Sequence, residues 1–164
     1  MDISEWPKFL EQRIASLPAA VMTAAHEGVE IAAEIARDKI GEYQGAIGSF
    51  PAWAPLATST VEEKTRLGYA PPDNPLLRTG ELRDSIGTSV ERAVPTASVV
   101  AIVGSTSPIA RYQEIGTTYI PPRPFIGPAM LEAEPAIADG LGTALHVAAS
   151  GESRSPRAFR RAAE

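Results

Sequence analysis

The chain has 164 residues, 44% of them hydrophobic but only 6% aromatic, with a net charge of −5. That length suits one domain with extensions, and a core of small aliphatic side chains suits close helix packing or completion by a neighbouring subunit. With no cysteine and two histidines (His26, His146), disulfide frameworks, thiolate zinc sites and multi-histidine metal centres are excluded, and the negative charge argues against a general nucleic-acid binder.

In chain order, residues 3–16 repeat Ile3, Trp6, Phe9, Leu10, Arg13, Ile14 and Leu17 at spacings of three and four, which predicts a short amphipathic helix ended by Pro18. Met1 to Trp6 lacks the basic start and apolar run of a signal peptide. Residues 19–43 predict the longest helix. It has two apolar rows, Met22, Ala25, Val29, Ala32, Ala36, Ile40 and Val21, Ala24, Gly28, Ile31, Ile35, with the acidic row Glu27, Glu30, Glu34, Asp38 opposite. So wide an apolar arc has two readings: a helix fully buried in its own domain, or one that also contacts a partner.

Residues 44–57 read as a loop around an apolar plug, Trp53-Ala-Pro-Leu56. Ser59 or Thr60 is placed to cap a short helix over 61–67, with Glu63 in capping-box position. Residues 68–75, with three prolines, predict an irregular loop. Thr79 is placed to cap one turn over 80–84. Alternation from Ile86 and the β-branched run over 97–104 predict an antiparallel hairpin turning at Pro95. A helix over 109–115 then starts at Pro108 and ends at Gly116, and residues 117–120 read as a third strand. A stiff, apolar, proline-rich clamp over 121–129 leads into a last helix from Pro128 to residue 149, with a bend allowed at Gly140 and Gly142. Residues 150–164 carry Arg154, Arg157, Arg160 and Arg161 beside Phe159. They read as a flexible basic tail, either solubilising or docking on an acidic neighbour or DNA phosphates. The fold class is therefore α+β: a short antiparallel β-sheet packed by a long N-terminal helix and a C-terminal helix. The expected divisions are a helical extension over 1–18, a single domain over 19–149 and the tail over 150–164.

No stretch reaches the roughly 18 apolar residues of a membrane span. No phosphate loop, nucleophile–base pair or metal-ligand spacing stands out, and both histidines read as helix-surface or packed residues rather than bases. Glu114 is the carboxylate of most interest. It lies at the unfavourable C-terminal end of its helix, so a partner is expected: Arg111, Arg123, Arg78 or an arginine of another chain. The catalytic alternative makes Glu114 an acid/base in a small hydrolase.

Several segments in order carry a resemblance. They are Leu77-Arg-Thr79-Gly80-Glu-Leu82-Arg-Asp-Ser85-Ile86; Val103-Gly-Ser105; Ala110-Arg-Tyr112-Gln-Glu114-Ile-Gly116-Thr117; and Pro121-Pro122-Arg-Pro124-Phe125-Ile-Gly-Pro128-Ala129. With Trp53-Ala-Pro-Leu56, Thr60 and Lys64 upstream, the chain over residues 50–135 resembles the head–tail joining and tail-component proteins of long-tailed bacteriophages and the related virion morphogenesis proteins. The resemblance implies a structural virion protein with no enzymatic activity and no cofactor. It implies a ring, commonly of six copies, at the neck between the portal and head-closure complex and the tail tube, with double-stranded DNA passing through the lumen. The same components occur in tailocins and gene transfer agents, and a tail terminator capping the tube is the near alternative. Thr79, Gly80, Leu82, Ser85, Ile86, Tyr112, Glu114, Gly116, Thr117, Pro122, Pro124, Phe125 and Pro128 are the structural positions it implies. Assembly in a bacterial cytoplasm and residence in a virion follow from the same likeness, as do head-closure and tail partners. Arg154, Arg157, Phe159, Arg160 and Arg161 are candidate docking residues from their composition alone.

Overall fold

The computed structural model describes residues 5–93 and 98–151. The expected hairpin turn at Pro95 and the docking residues Arg154, Arg157, Phe159, Arg160 and Arg161 lie outside the described residues. The elements are helix α1 (Trp6–Lys39), α2 (Thr58–Arg66), α3 (Glu81–Asp84), strands β1 (Ile86–Ala93) and β2 (Ser98–Ser105), α4 (Pro108–Ile115) and α5 (Ile126–Ser150). The strands pair as one antiparallel two-stranded sheet. The fold is α+β, with a long N-terminal helix, a short sheet and a C-terminal helix. Among the described residues no helix is long and apolar enough to cross a membrane.

Several expectations are corrected. Pro18 does not end the first helix but sits inside α1, which runs on to Lys39. A proline interrupts the hydrogen-bond ladder at only one turn, and the remaining pairs carry the helix through. Residues 117–120 form no strand: the Thr117 amide donates to the Ile120 carbonyl (2.8 Å), and the Thr117 hydroxyl accepts from the Tyr119 and Ile120 amides. The segment thus closes as a turn on its own side chain. Helix α2 begins at Thr58 from an extended Ala57 with no side-chain cap, and Glu63 reaches Arg78 (3.4 Å) instead of closing a capping box. Glu30 leaves the expected solvated acidic row, because its carboxylate accepts from the Thr88 hydroxyl. Helix α5 begins two residues before Pro128 and runs through both Gly140 and Gly142.

The chain clusters into two compact units, and neither residue 18 nor residue 149 marks a boundary between them. The first unit combines Met1–Val29, Ser89–Ile102 and Glu134–Glu164. Within it α1 and α5 meet at Gly28, where an added Cβ would stand 2.9 Å from Cγ1 of Ile137. The Arg13 guanidinium stacks over Phe9 (4.9 Å). It also lies against Gly151, where a Cβ would fall 2.0 Å from it. That places a cation at the C-terminal end of α5, the end the helix dipole makes negative.

The second unit combines Glu30–Thr88 and Val103–Ala133. Its core is one cluster: Ala33, Ala36 and Ile40 of α1, Trp53 of the plug, Leu82, Ile86, Ala110, Phe125 and Ala129. The buried row on α1 is Val29, Ala33, Ala36, Ile40 with Ala32 beside it. Ala33 belonged to neither expected row: it lies beside the first row on the side away from the second, so the buried arc extends past that row. Small residues let the helix backbones come close, so there is little room for a longer side chain. Arg37 donates to the Ile86 carbonyl (2.8 Å) and ties α1 to the start of β1. The nearly buried Lys39 pairs with Glu132 of α5 (2.9 Å).

Ala36 is fully buried, so Ala36→Leu is expected to lose about 1–3 kcal/mol of stability through overpacking. The exposed Ala46→Leu is expected to stay within about 0.5 kcal/mol of the parent. Urea unfolding of both variants checks this, and equal midpoints would contradict the close packing described.

Candidate functional site

The thirteen positions singled out by the sequence all fall in the second unit, and Leu82, Ile86 and Phe125 among them belong to its core cluster. Thr79 and Gly80 begin the first segment. The Thr79 hydroxyl accepts a long bond from the Glu81 amide (3.5 Å), and Gly80 is the α3 N-cap with φ of 90°. Leu82 and Ile86 enter the core. Ser85 ties this segment to the far end of β2: its hydroxyl meets that of Ser105 (2.7 Å), and its carbonyl accepts from the Thr106 amide (3.1 Å).

Glu114 is the centre of the second and third segments. Neither Arg78, Arg111 nor Arg123 is its partner. Its Oε2 accepts from the amides of Phe125 (2.8 Å) and Ile126 (3.1 Å), and its Oε1 from that of Gly127 (2.8 Å). These are the residue before α5 and the first two residues inside it. The first four amide positions of a helix have no partner within it. Here three are met by one carboxylate and the fourth is Pro128, which has no N–H. The Ala129 amide begins the internal ladder by donating to the Phe125 carbonyl (3.3 Å). An anion unfavourable at the end of α4 is favourable at the start of α5, where the dipole is positive. The one side chain therefore fastens two helices end to start.

The chain between them is folded back tightly. Gly116 has φ of 80°, and a Cβ there would come within 2.9 Å of the Ile120 carbonyl oxygen and the Pro122 nitrogen. Only glycine meets both conditions without strain. The Arg123 amide then donates to the Gln113 carbonyl (2.7 Å), which closes the loop one residue from Glu114.

Arg123 turns the other way. Its buried guanidinium donates to the Ala54 carbonyl (3.0 and 3.3 Å) and the Pro55 carbonyl (3.2 Å). Trp53 donates its indole N–H to the Pro124 carbonyl (3.0 Å). The Trp-Ala-Pro plug and the Arg-Pro-Phe run thus lock together, with Phe125 fully buried beneath them. Gly127 carries a further constraint, because a Cβ there would stand 2.4 Å from the Phe50 ring. The expected apolar clamp is only partly buried: Phe125, Pro124 and Pro128 are inside, while Tyr112, Ile115 and Tyr119 are exposed. Thr117 and Pro122 are also exposed.

Sequence reasoning missed the roles of Arg123, Gly127 and Phe50. A single arginine between two prolines was the available signal for Arg123, since a rigid backbone can aim a long donor. Nothing local marks Gly127, because Phe50 is distant in the chain.

Buried cations are the main electrostatic feature. Burial pushes the Arg123 guanidinium below its ordinary value, with Tyr43 opposing. Burial likewise lowers Lys64, against the attraction of Asp73 and with help from Arg78. Lys64 donates to the Asn74 carbonyl (2.6 Å). Nearby, a cavity of about 170 Å³ opens between Tyr69, Leu77, Thr79, Gly80, Arg78 and Arg83. Arg78 is engaged there with Glu63 and over the Tyr69 ring (5.3 Å). His26 and His146 are both exposed. Among the described residues no group of three His, Cys, Asp or Glu is placed to hold a metal ion. In comparison with known proteins, no family model, no curated protein and no solved structure matches the chain.

Glu114→Ala leaves three helix-start amides without an acceptor and is expected to cost about 3 kcal/mol. Hydrogen exchange at Phe125, Ile126 and Gly127 should accelerate in that variant and not in the surface control Glu134→Ala. Unchanged exchange at those three amides would contradict the capping role.

For Lys64 the folded-state value lies below the ordinary 10.5. Between the two values the unfolded chain holds more protons, so stability rises with pH across that window. Below it, the full cost of burying the cation is present. Lys64→Met removes that cost, so its melting temperature relative to the parent is expected to be highest near neutral pH and to fall as pH approaches 10.5. Paired melts across that range check it; a difference that grows with pH would contradict it.

Proposed function

We propose that the chain is a structural virion protein that forms a ring at the head–tail junction of a phage or phage-like particle. In this role it connects the portal and head-closure complex to the tail and lets DNA pass. The observation that carries the reading is the convergence of the resembling segments. Residues from Leu82 to Ala129, separated by a hairpin and two loops, meet with Trp53 in one core, and Glu114 bolts the last two segments together. Such a construction suits a part whose duty is to hold shape under load. The net charge of −5 suits a conduit, since strong phosphate binding would slow DNA passage.

Glu114 as the acid/base of a hydrolase gains no support from the geometry. Both of its oxygens accept from backbone amides at a helix start, and that arrangement accounts for the carboxylate without a substrate.

Deleting the gene in a particle-producing host is expected to give separate heads and tails, rejoined when the parent chain is supplied. Phe125→Ala, which costs about 3–5 kcal/mol in a core, is expected to rejoin them poorly. Electron microscopy of the particles checks both. Density for the chain on the head side of the joint fits a neck component, and density on the tube end fits a terminator. Joined, functional particles without the chain would overturn the proposal, as would a monomer that never assembles and turns over a substrate.

A further inference from the structure

Helix α4 presents large apolar side chains outward at a spacing of three, Ile109, Tyr112 and Ile115, and Tyr119 follows in the loop. Their exposures are 53%, 54%, 67% and 93%. At about 200 Å² for a large side chain, these four expose on the order of 500 Å². A second stripe lies on the first turns of α1, where Trp6, Leu10 and Ile14 are exposed at spacings of four. It adds roughly 300 Å² on the same scale. The two stripes together approach the roughly 1,000 Å² that a specific interface must bury.

One exposed charge beside each differs in sign. Arg111 lies four residues before Ile115, on the same side of α4, and Glu11 lies three before Ile14 on α1. Both are exposed. Among the described residues neither takes part in an ion pair.

We infer that the α4 face of one copy receives the α1 stripe of the next copy, with Arg111 meeting Glu11. The inference rests on the ring reading above and names the surfaces that build the ring. Pairing the α4 face with itself about a two-fold axis would give both rims the same cation and leave the α1 stripe uncovered. Head-to-tail pairing covers both stripes and repeats from copy to copy, which a ring requires.

The chain contains no cysteine, so introduced cysteines report cleanly. Tyr112→Cys and Leu10→Cys, oxidised separately at high concentration, are expected to stay uncross-linked. Mixed, they should give a dimer, and a chain carrying both should give a ladder of multimers. Charge reversal is the second arm. Arg111→Glu and Glu11→Arg are each expected to weaken association about two- to fivefold with unchanged melting temperature, and the two together should restore it. Cross-linking of Tyr112→Cys with itself would overturn the proposal in favour of a two-fold contact. Ring-sized mass without the mixed cross-link would overturn these surfaces while leaving the ring. A monomer at every concentration, with no cross-link in any combination, would overturn both.

Discussion

One carboxylate accepting from three successive amides is the contact on which the second unit depends. Glu114 stands on the last turn of α4 and closes the start of α5. Helix starts are usually capped by the residue immediately before them. Here the cap comes from eleven residues upstream, and it works only because the intervening loop returns to its origin. Gly116, the Thr117 turn and the bond from Arg123 to Gln113 bring it back. The prolines then narrow the backbone's choices, so less conformational entropy is lost when the loop closes. Phe125 is consequently delivered into the core at a set angle, with Trp53 and Arg123 locking it from above.

The buried cations follow from the same economy of aromatic residues. With few large rings, the unit fills space with long basic stems and directs their heads to carbonyls. Arg123 and Lys64 both end on backbone oxygens rather than carboxylates. A cation held this way fixes loop geometry more than it adds stability, since burial works against its charge. Lys39 is the exception, with Glu132 as its partner. The contacts of Arg123 and Lys64 hold the chain at Ala54, Pro55 and Asn74 at defined places around the core.

The second unit leaves large apolar side chains on its outside. Tyr112 and Tyr119 lie in the segment that holds Glu114 and Phe125, yet they face outward. The segment thus has two sides, one packed into the unit and one left exposed.

Much of the local structure was legible from local rules. Period-two alternation found β1, a β-branched run found β2, the three- and four-residue spacing found both long helices, and glycine at residue 116 marked the end of α4. Periodicity also showed that α1 had a wide apolar arc, and left Ala33 out of it because alanine carries so little hydrophobic signal. Pro18 and residues 117–120 were misread for a related reason: propensity weighs one residue at a time, whereas the continuity of α1 and the Thr117 turn depend on the hydrogen bonds around them. The residue types of the joint, and the importance of Glu114 itself, were present in the sequence. Its partners were not, because an arginine looks like the natural mate for a glutamate until the chain is folded. Only tertiary structure could set a helix start beside it. The physical reason is that backbone amides are the same at every position, and which of them lack an acceptor is decided by where a helix begins.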